Sequence, residues 1–97
     1  MNQFYSEIYE IIKQIPEGKV MSYGQIASHL GRPRNTREVG RVLRHSPNNI
    51  PWHRVVMADG TVSGGEHSQI RRAMLVSEGV SFLEDNRVDM KKHRHSI

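Results

Sequence analysis

The sequence predicts a mainly α fold with a small β hairpin, arranged as a winged helix-turn-helix, and three observations carry the prediction. Apolar residues recur at helical spacing in several short segments. Two of those segments open on a pair with the spacing of a capping box, Ser22 with Gln25 and Asn35 with Glu38. A turn begun by Gly31 lies between them, and an extended run broken by Ala58, Asp59 and Gly60 follows. At 97 residues the chain is the size of one domain, with room for a modest core.

Taken in order, Phe4, Ile8, Ile11, Ile12 and Ile15 place a first amphipathic helix over 3–15, which Pro16, Glu17 and Gly18 end. A short extended stretch at 19–21 leads to the Ser22 cap. The second helix turns Ile26, Ala27 and Leu30 inward, and Gly31 closes it. After a turn at 31–34, Asn35 opens a third helix that runs to about His45. Val39, Val42 and Leu43 face its packed side, whereas Arg37, Arg41 and Arg44 line the other. Residues 46–49 read as a loop. Ile50, Pro51, Trp52 and His53 then enter an extended run at 54–57, which the 58–60 turn joins to 61–63 as a two-stranded wing. Gly64 and Gly65 loosen the chain before a fourth helix over 68–78, with Ile70, Ala73 and Met74 on its apolar side and Gly79 as its cap. Residues 80–90 read as a short strand or loop. The polar, basic residues 91–97 are expected to be a disordered tail, which leaves 1–90 as the folded domain.

Composition narrows the chemistry. Lys and Arg number 14 against 10 acids, for a net charge of +4 and a pI near 9.9, which favours polyanionic partners. Cysteine is absent, so disulfides, thiolate metal sites and thiol nucleophiles are excluded. The histidines, including His93 and His95, lack the pairing of a structural zinc site, and no metal or other cofactor is expected. No apolar run is long enough for a membrane span and the first ten residues do not read as a signal peptide, so the expected location is the cytoplasm, on the nucleoid in a bacterium.

Two short helices around a glycine turn, the second with an arginine stripe interrupted by no acid except Glu38, fit a DNA-binding module better than a solvated helical hairpin. This reading assigns DNA contact to Arg34, Thr36, Gly40, Arg41 and Arg44. A sequence-specific transcriptional regulator is one function that such a module can serve.

Several further stretches are distinctive in their wording: Ile15, Pro16, Glu17, Gly18, Lys19, Val20; then Ser22, Tyr23, Gly24, Gln25, Ile26, Ala27; then Arg37, Glu38, Val39, Gly40; then Pro51, Trp52, His53, Arg54, Val55, Val56; then Glu78, Gly79. In this order they resemble the DNA-binding domain of O6-alkylguanine-DNA alkyltransferases over roughly residues 4–83. The departure lies at position 52, where the transferase motif has its alkyl-accepting cysteine and this chain has Trp52. In that respect it is similar to the alkyltransferase-like proteins.

The resemblance implies a sensor that is not an enzyme, binding O6-alkylguanine in duplex DNA as a monomer by nucleotide flipping and passing it to nucleotide excision repair. It implies minor-groove docking, with Arg37 entering the base stack and Tyr23 pressing on the 3′ phosphate. Tyr23, Trp52 and His53 would belong to the lesion pocket, with Trp52 a pocket wall, a core aromatic or both at once. Glu78 would fix His53 or the end of the fourth helix, and the 63–69 loop would border the pocket. Elementary chemistry agrees: dealkylation of guanine O6 needs a soft nucleophile, and the indole nitrogen commits its lone pair to its ring. A third class, an enzyme using His53 or water, lacks any visible activating group.

Overall fold

The computed structural model describes residues 3–45 and 49–96. The expected loop at 46–49 falls largely outside them. Helix α1, Gln3–Lys13, buries Phe4, Ile8, Ile11 and Ile12 along one stripe. Strand β1, Met21–Ser22, runs directly into α2, Tyr23–His29. The capping box is formed there in full: Gln25 N donates to Ser22 Oγ at 3.0 Å, and Ser22 N donates to Gln25 Oε1 at 3.3 Å. A 3₁₀ turn, Pro33–Asn35, then leads into α3, Thr36–Arg44. Here the cap spacing marks the helix start by different chemistry. The Asn35 amide donates to the Glu38 carboxylate at 2.8 Å, and no side chain caps a backbone N–H. Val39, Val42 and Leu43 are buried against α1 and α2, and Met21, Ile50 and Val55 complete this cluster.

The expected hairpin is not formed. Strand β2, Val55–Val56, pairs with β1 in parallel, Met21 opposite Val55 and Ser22 opposite Val56. The 58–60 turn exists, with Gly60 N bonded to Met57 O at 2.8 Å, but 61–63 adopt no strand. The reason is burial. Successive strand residues point to opposite faces, and Val55 and Val56 are both fully buried. A wing facing water would expose one of them, whereas an interior parallel pair covers both.

Val56 instead joins a second cluster with Val20, Val62, Leu75, Val80 and Val88. Helix α4, Ser68–Ser77, contributes Leu75 and, unexpectedly, Arg71 to the interior. The apolar side anticipated for this helix is therefore rotated: Ile70 and Ala73 are exposed and Met74 is half-buried. Arg71 takes the inward place four residues before Leu75 because aromatic groups receive it, as described below.

The C-terminal segment also departs from expectation. Residues 90–96 are docked, with helix α5 at Met90–His93 and His93 buried. Val20 uses both its main-chain groups to hold them: Val20 N donates to His93 O at 2.9 Å, and His95 N donates to Val20 O at 2.8 Å. Polar composition does not register a segment ordered through another strand's free edge.

Candidate nucleic-acid interface

Between α3 on one side and the 63–67 segment with α4 on the other, the surface opens into a cleft of about 1010 Å³. On one side stand Tyr23 from α2 and Arg37, Gly40, Arg41, Leu43 and Arg44 from α3. Facing them are Ser63, Gly64, Gly65, His67 and Arg71, and Trp52 stands between the two groups. The capping box sets the first turn of α2 and with it Tyr23, whose ring passes beside Gly40. Helical spacing that turns Val39, Val42 and Leu43 inward necessarily turns Arg37, Arg41 and Arg44 out, and all three are exposed.

The opposite wall is organised by Arg71. Its guanidinium carbon lies 4.6 Å from the Trp52 ring centroid, and Nη1 donates to Tyr23 OH at 3.3 Å. Tyr23 OH in turn is 2.5 Å from Ser63 Oγ, so one hydroxyl ties α2 to the 63–65 loop. Glycine at 64 permits the approach: a Cβ there would lie 3.0 Å from Arg71 Nε, at a φ of +115° that side chains rarely adopt. Arg71 Nε is buried without a hydrogen-bond partner among the described residues.

Behind Trp52 the chain is locked. Trp52, His53 and Arg54 form a 3₁₀ turn, and the His53 ring stands at 87° to that of Trp52. His53 is buried and is not part of the cleft lining, with Nε2 2.8 Å from Glu78 Oε2. The carboxylate also accepts from Arg54 Nε at 3.0 Å and Nη2 at 2.7 Å, while Arg54 Nη1 donates to Ile15 O at 2.7 Å. Burial pushes the Glu78 carboxyl up, but the bonds from Arg54 and then His53 outweigh it and hold the group below its ordinary value. The bond to Glu78 likewise raises the Arg54 guanidinium against the effect of burial.

Of the residues singled out in the sequence, Tyr23, Arg37, Gly40, Arg41, Arg44 and Trp52 come together around the cleft, with members of the 63–69 loop opposite. His53 does not line it; with Glu78 it forms the support behind. Arg34, in the 3₁₀ turn before α3, and Thr36, the first residue of α3, lie outside the lining. Trp52 is at once a cleft wall and a half-buried aromatic packed on the main cluster, so the two roles open to it coincide. Sequence reasoning gave no role to Arg71 or Arg54, and it placed the 63–69 loop at the pocket without assigning Ser63 or His67 individually. The one signal for Arg71 is its place four residues before Leu75, within the stripe that an inward side chain must occupy.

The cleft thus joins an aromatic face to four guanidiniums, those of Arg37, Arg41, Arg44 and Arg71, with no carboxylate in its lining. Arg37, Arg41 and Arg44 form no ion pair among the described residues. Planar bases and phosphates are the ligands such a surface suits, and the molecule is of the helix-turn-helix nucleic-acid-binding class.

Comparison with known proteins narrows the class. Residues 3–80 match the model of the 6-O-methylguanine DNA methyltransferase DNA-binding domain. The chain is 38% identical to the DNA base-flipping protein of Escherichia coli, over 96% of this chain and 74% of that one. It is 37% identical to alkyltransferase-like protein 1 of Schizosaccharomyces pombe, over 87% and 82% of the respective chains. The crystal structure of S. pombe Atl1 in complex with damaged DNA containing O6-carboxymethylguanine superposes with a TM-score of 0.88 at 30% identity, covering 100% of this chain and 98% of that one. Mycobacterium tuberculosis OGT in complex with DNA gives 0.74 at 34% identity, covering 80% of this chain and 50% of that one. The chain belongs to the DNA-binding-domain family of the 6-O-methylguanine DNA methyltransferases, and within it falls with the alkyltransferase-like proteins.

Proposed function

We propose that this protein is a sensor of O6-alkylguanine in duplex DNA that captures the flipped base and performs no covalent chemistry on it. The observation that carries the reading is Trp52 lining the cleft of a methyltransferase-family domain that contains no cysteine. An indole at the acceptor position leaves a surface for stacking and removes the nucleophile that transfer requires. Relatives named as base-flipping proteins, and a close structural neighbour bound to damaged DNA, support it.

In this reading Arg34, Thr36, Gly40, Arg41 and Arg44 hold the duplex as a single chain in the minor groove. Arg37 fills the gap left in the stack, and Tyr23 presses on the 3′ phosphate. The rotated base meets Trp52, while His53 and Glu78 keep the Trp52 turn rigid from behind. Flipping costs a few kcal/mol, less where pairing is already weakened by the lesion. Stacking returns about 1–3 kcal/mol. The two nearly cancel, so discrimination falls to the weakened pair and to burial of the alkyl group, at about 0.8 kcal/mol per methylene. A protein that holds damage without reversing it needs a successor, and nucleotide excision repair is the process to which it would pass the site.

Equilibrium binding to duplexes carrying methyl, ethyl, propyl and butyl groups at O6 tests the reading. Affinity is expected to increase by about fourfold per methylene until the cleft is full. Affinity that is flat across the series would remove the pocket from the mechanism.

A further inference from the structure

His93 is buried, and both nitrogens of its ring are engaged. Nδ1 lies 2.9 Å from the Gly18 carbonyl, which can only accept. Nε2 lies 3.0 Å from the Ser81 amide, which can only donate, and 2.8 Å from Ser81 Oγ. These two main-chain partners admit one form of the ring, neutral with its proton on Nδ1. A second proton, on Nε2, would set an N–H against the Ser81 N–H. The Ser81 hydroxyl can rotate to accept it, but the amide cannot.

What His93 anchors bears on the DNA-facing side of the molecule. Residues 93–95 are joined to Val20 by two main-chain bonds, and the His95 carbonyl accepts from Gln25 Nε2. Gln25 is the same side chain whose Oε1 completes the capping box of α2. The segment is therefore a strap, keyed at one end by His93 and tied at the other to the helical turn that carries Tyr23 into the cleft. The charged groups near the ring in the chain are of both signs, with Glu17 and Lys19 on either side of Gly18. Lys19 Nζ bonds Lys92 O on the facing turn, and Lys92 and Arg94 flank the ring on its own segment. Asp89 receives the His93 amide through its main-chain oxygen, Glu78 at the end of α4 is committed to Arg54 and His53, and no carboxylate pairs with His93 among the described residues.

We propose that His93 is a positioning residue for α2 and Tyr23, holding the C-terminal strap in place only while its ring is neutral, so that duplex binding weakens as His93 takes up a proton. The second half of this statement rests on the DNA-binding reading above; the first does not. Amide hydrogen exchange on the whole chain without DNA, from about pH 8 to about pH 5 and corrected for intrinsic rates, tests the strap. The amides of Val20, Ser81 and His95 are expected to lose protection together while those of α1 keep theirs. In His93→Gln, which offers a donor and an acceptor but does not titrate, the pH dependence is expected to vanish. Unchanged protection in the wild type, or the same dependence in His93→Gln, overturns the proposal. Duplex affinity of the two proteins over the same range tests the coupling, since His29, His45, His53, His67 and His95 are common to both. The wild type is expected to lose affinity severalfold relative to the variant. A strap that opens with no such loss overturns the positioning role. Absence of duplex binding by either protein at any pH overturns that role together with the reading beneath it, and the exchange result still decides the strap.

Discussion

Around α1, α2 and α3 the core is made of residues that recur along the chain at helical intervals, Phe4, Ile8 and Ile12, then Val39, Val42 and Leu43. Around α4 and the C-terminal segment it is gathered from single residues far apart in sequence, Val20, Val56, Val62, Val80 and Val88, with Leu75 from α4 and the half-buried Met90 from α5 as helical contributors. The first half is held by packing of periodic faces. The second is held by specific bonds: Arg54 with Glu78, His93 with Gly18 and Ser81, and Gly60 with Val88. The cleft is lined from both halves: the arginine stripe comes from the regular half and Arg71, Ser63, Gly64 and Gly65 from the irregular one. A periodic half can tolerate local change by repacking, whereas a bonded half should fail at single contacts.

Substitutions can break that contrast or sharpen it. The largest effect is expected at Gly60, where φ is +92° and a Cβ would stand 2.4 Å from the Val88 carbonyl oxygen, a main-chain atom with no room to retreat. Gly60→Ala should cost about 3 kcal/mol in urea unfolding, from a strained backbone and the collision together. A loss under about 1 kcal/mol would mean that the second half yields as readily as the first.

Next is Glu78→Gln, which removes the charge from a pair whose side chains are only 11% and 13% exposed. Breaking such a pair leaves Arg54, 13% exposed, with only the exposed Glu17 carboxylate at 3.9 Å, and a cost of about 2 kcal/mol at neutral pH is expected, since the amide still makes part of the bonding. Its pH dependence has a definite sign. Folding lowers the Glu78 carboxyl below its unfolded value near 4.5, so the folded state binds protons less readily and the pair stabilises it above that value. The difference between wild type and Glu78→Gln should therefore be full at pH 7 and shrink as the pH falls below about 4.5. A constant difference across that range would show that the carboxylate charge contributes nothing.

The smallest effect is expected in the regular half. Ser22→Ala removes one cap bond, with Gln25 Oε1 still on the Ser22 amide, and should cost about 1 kcal/mol. A loss as large as that at Gly60 would erase the distinction between the halves.

The same contrast decides what could be read from residues alone. Helix starts at Ser22 and Asn35, and the outward set Arg37, Arg41 and Arg44, follow from local spacing, and these place one wall of the cleft. The other wall depends on contacts between distant residues. Arg71 is inward because Trp52 and Tyr23 receive its guanidinium, and Val55 pairs with Met21 because both need covering. A hairpin expected from the 58–60 turn, an apolar face expected at Ile70 and a disordered tail expected after 90 all failed for this reason. Each was inferred from neighbours in sequence where neighbours in space decide. His53 was legible as part of the motif and as a partner of Glu78, but its absence from the cleft lining was not.

The central claim is that Trp52 makes the cleft a receptor for a damaged base instead of a site of transfer. Its most direct measurement is duplex binding with guanine or O6-methylguanine at one position, for the wild type and Trp52→Ala, with intact mass of protein and DNA taken from the same mixtures. The account predicts tighter binding of the modified duplex by the wild type, loss of most of that preference in Trp52→Ala, and unchanged masses throughout. Equal affinity for both duplexes, or a methyl group moved from DNA to protein, would contradict it.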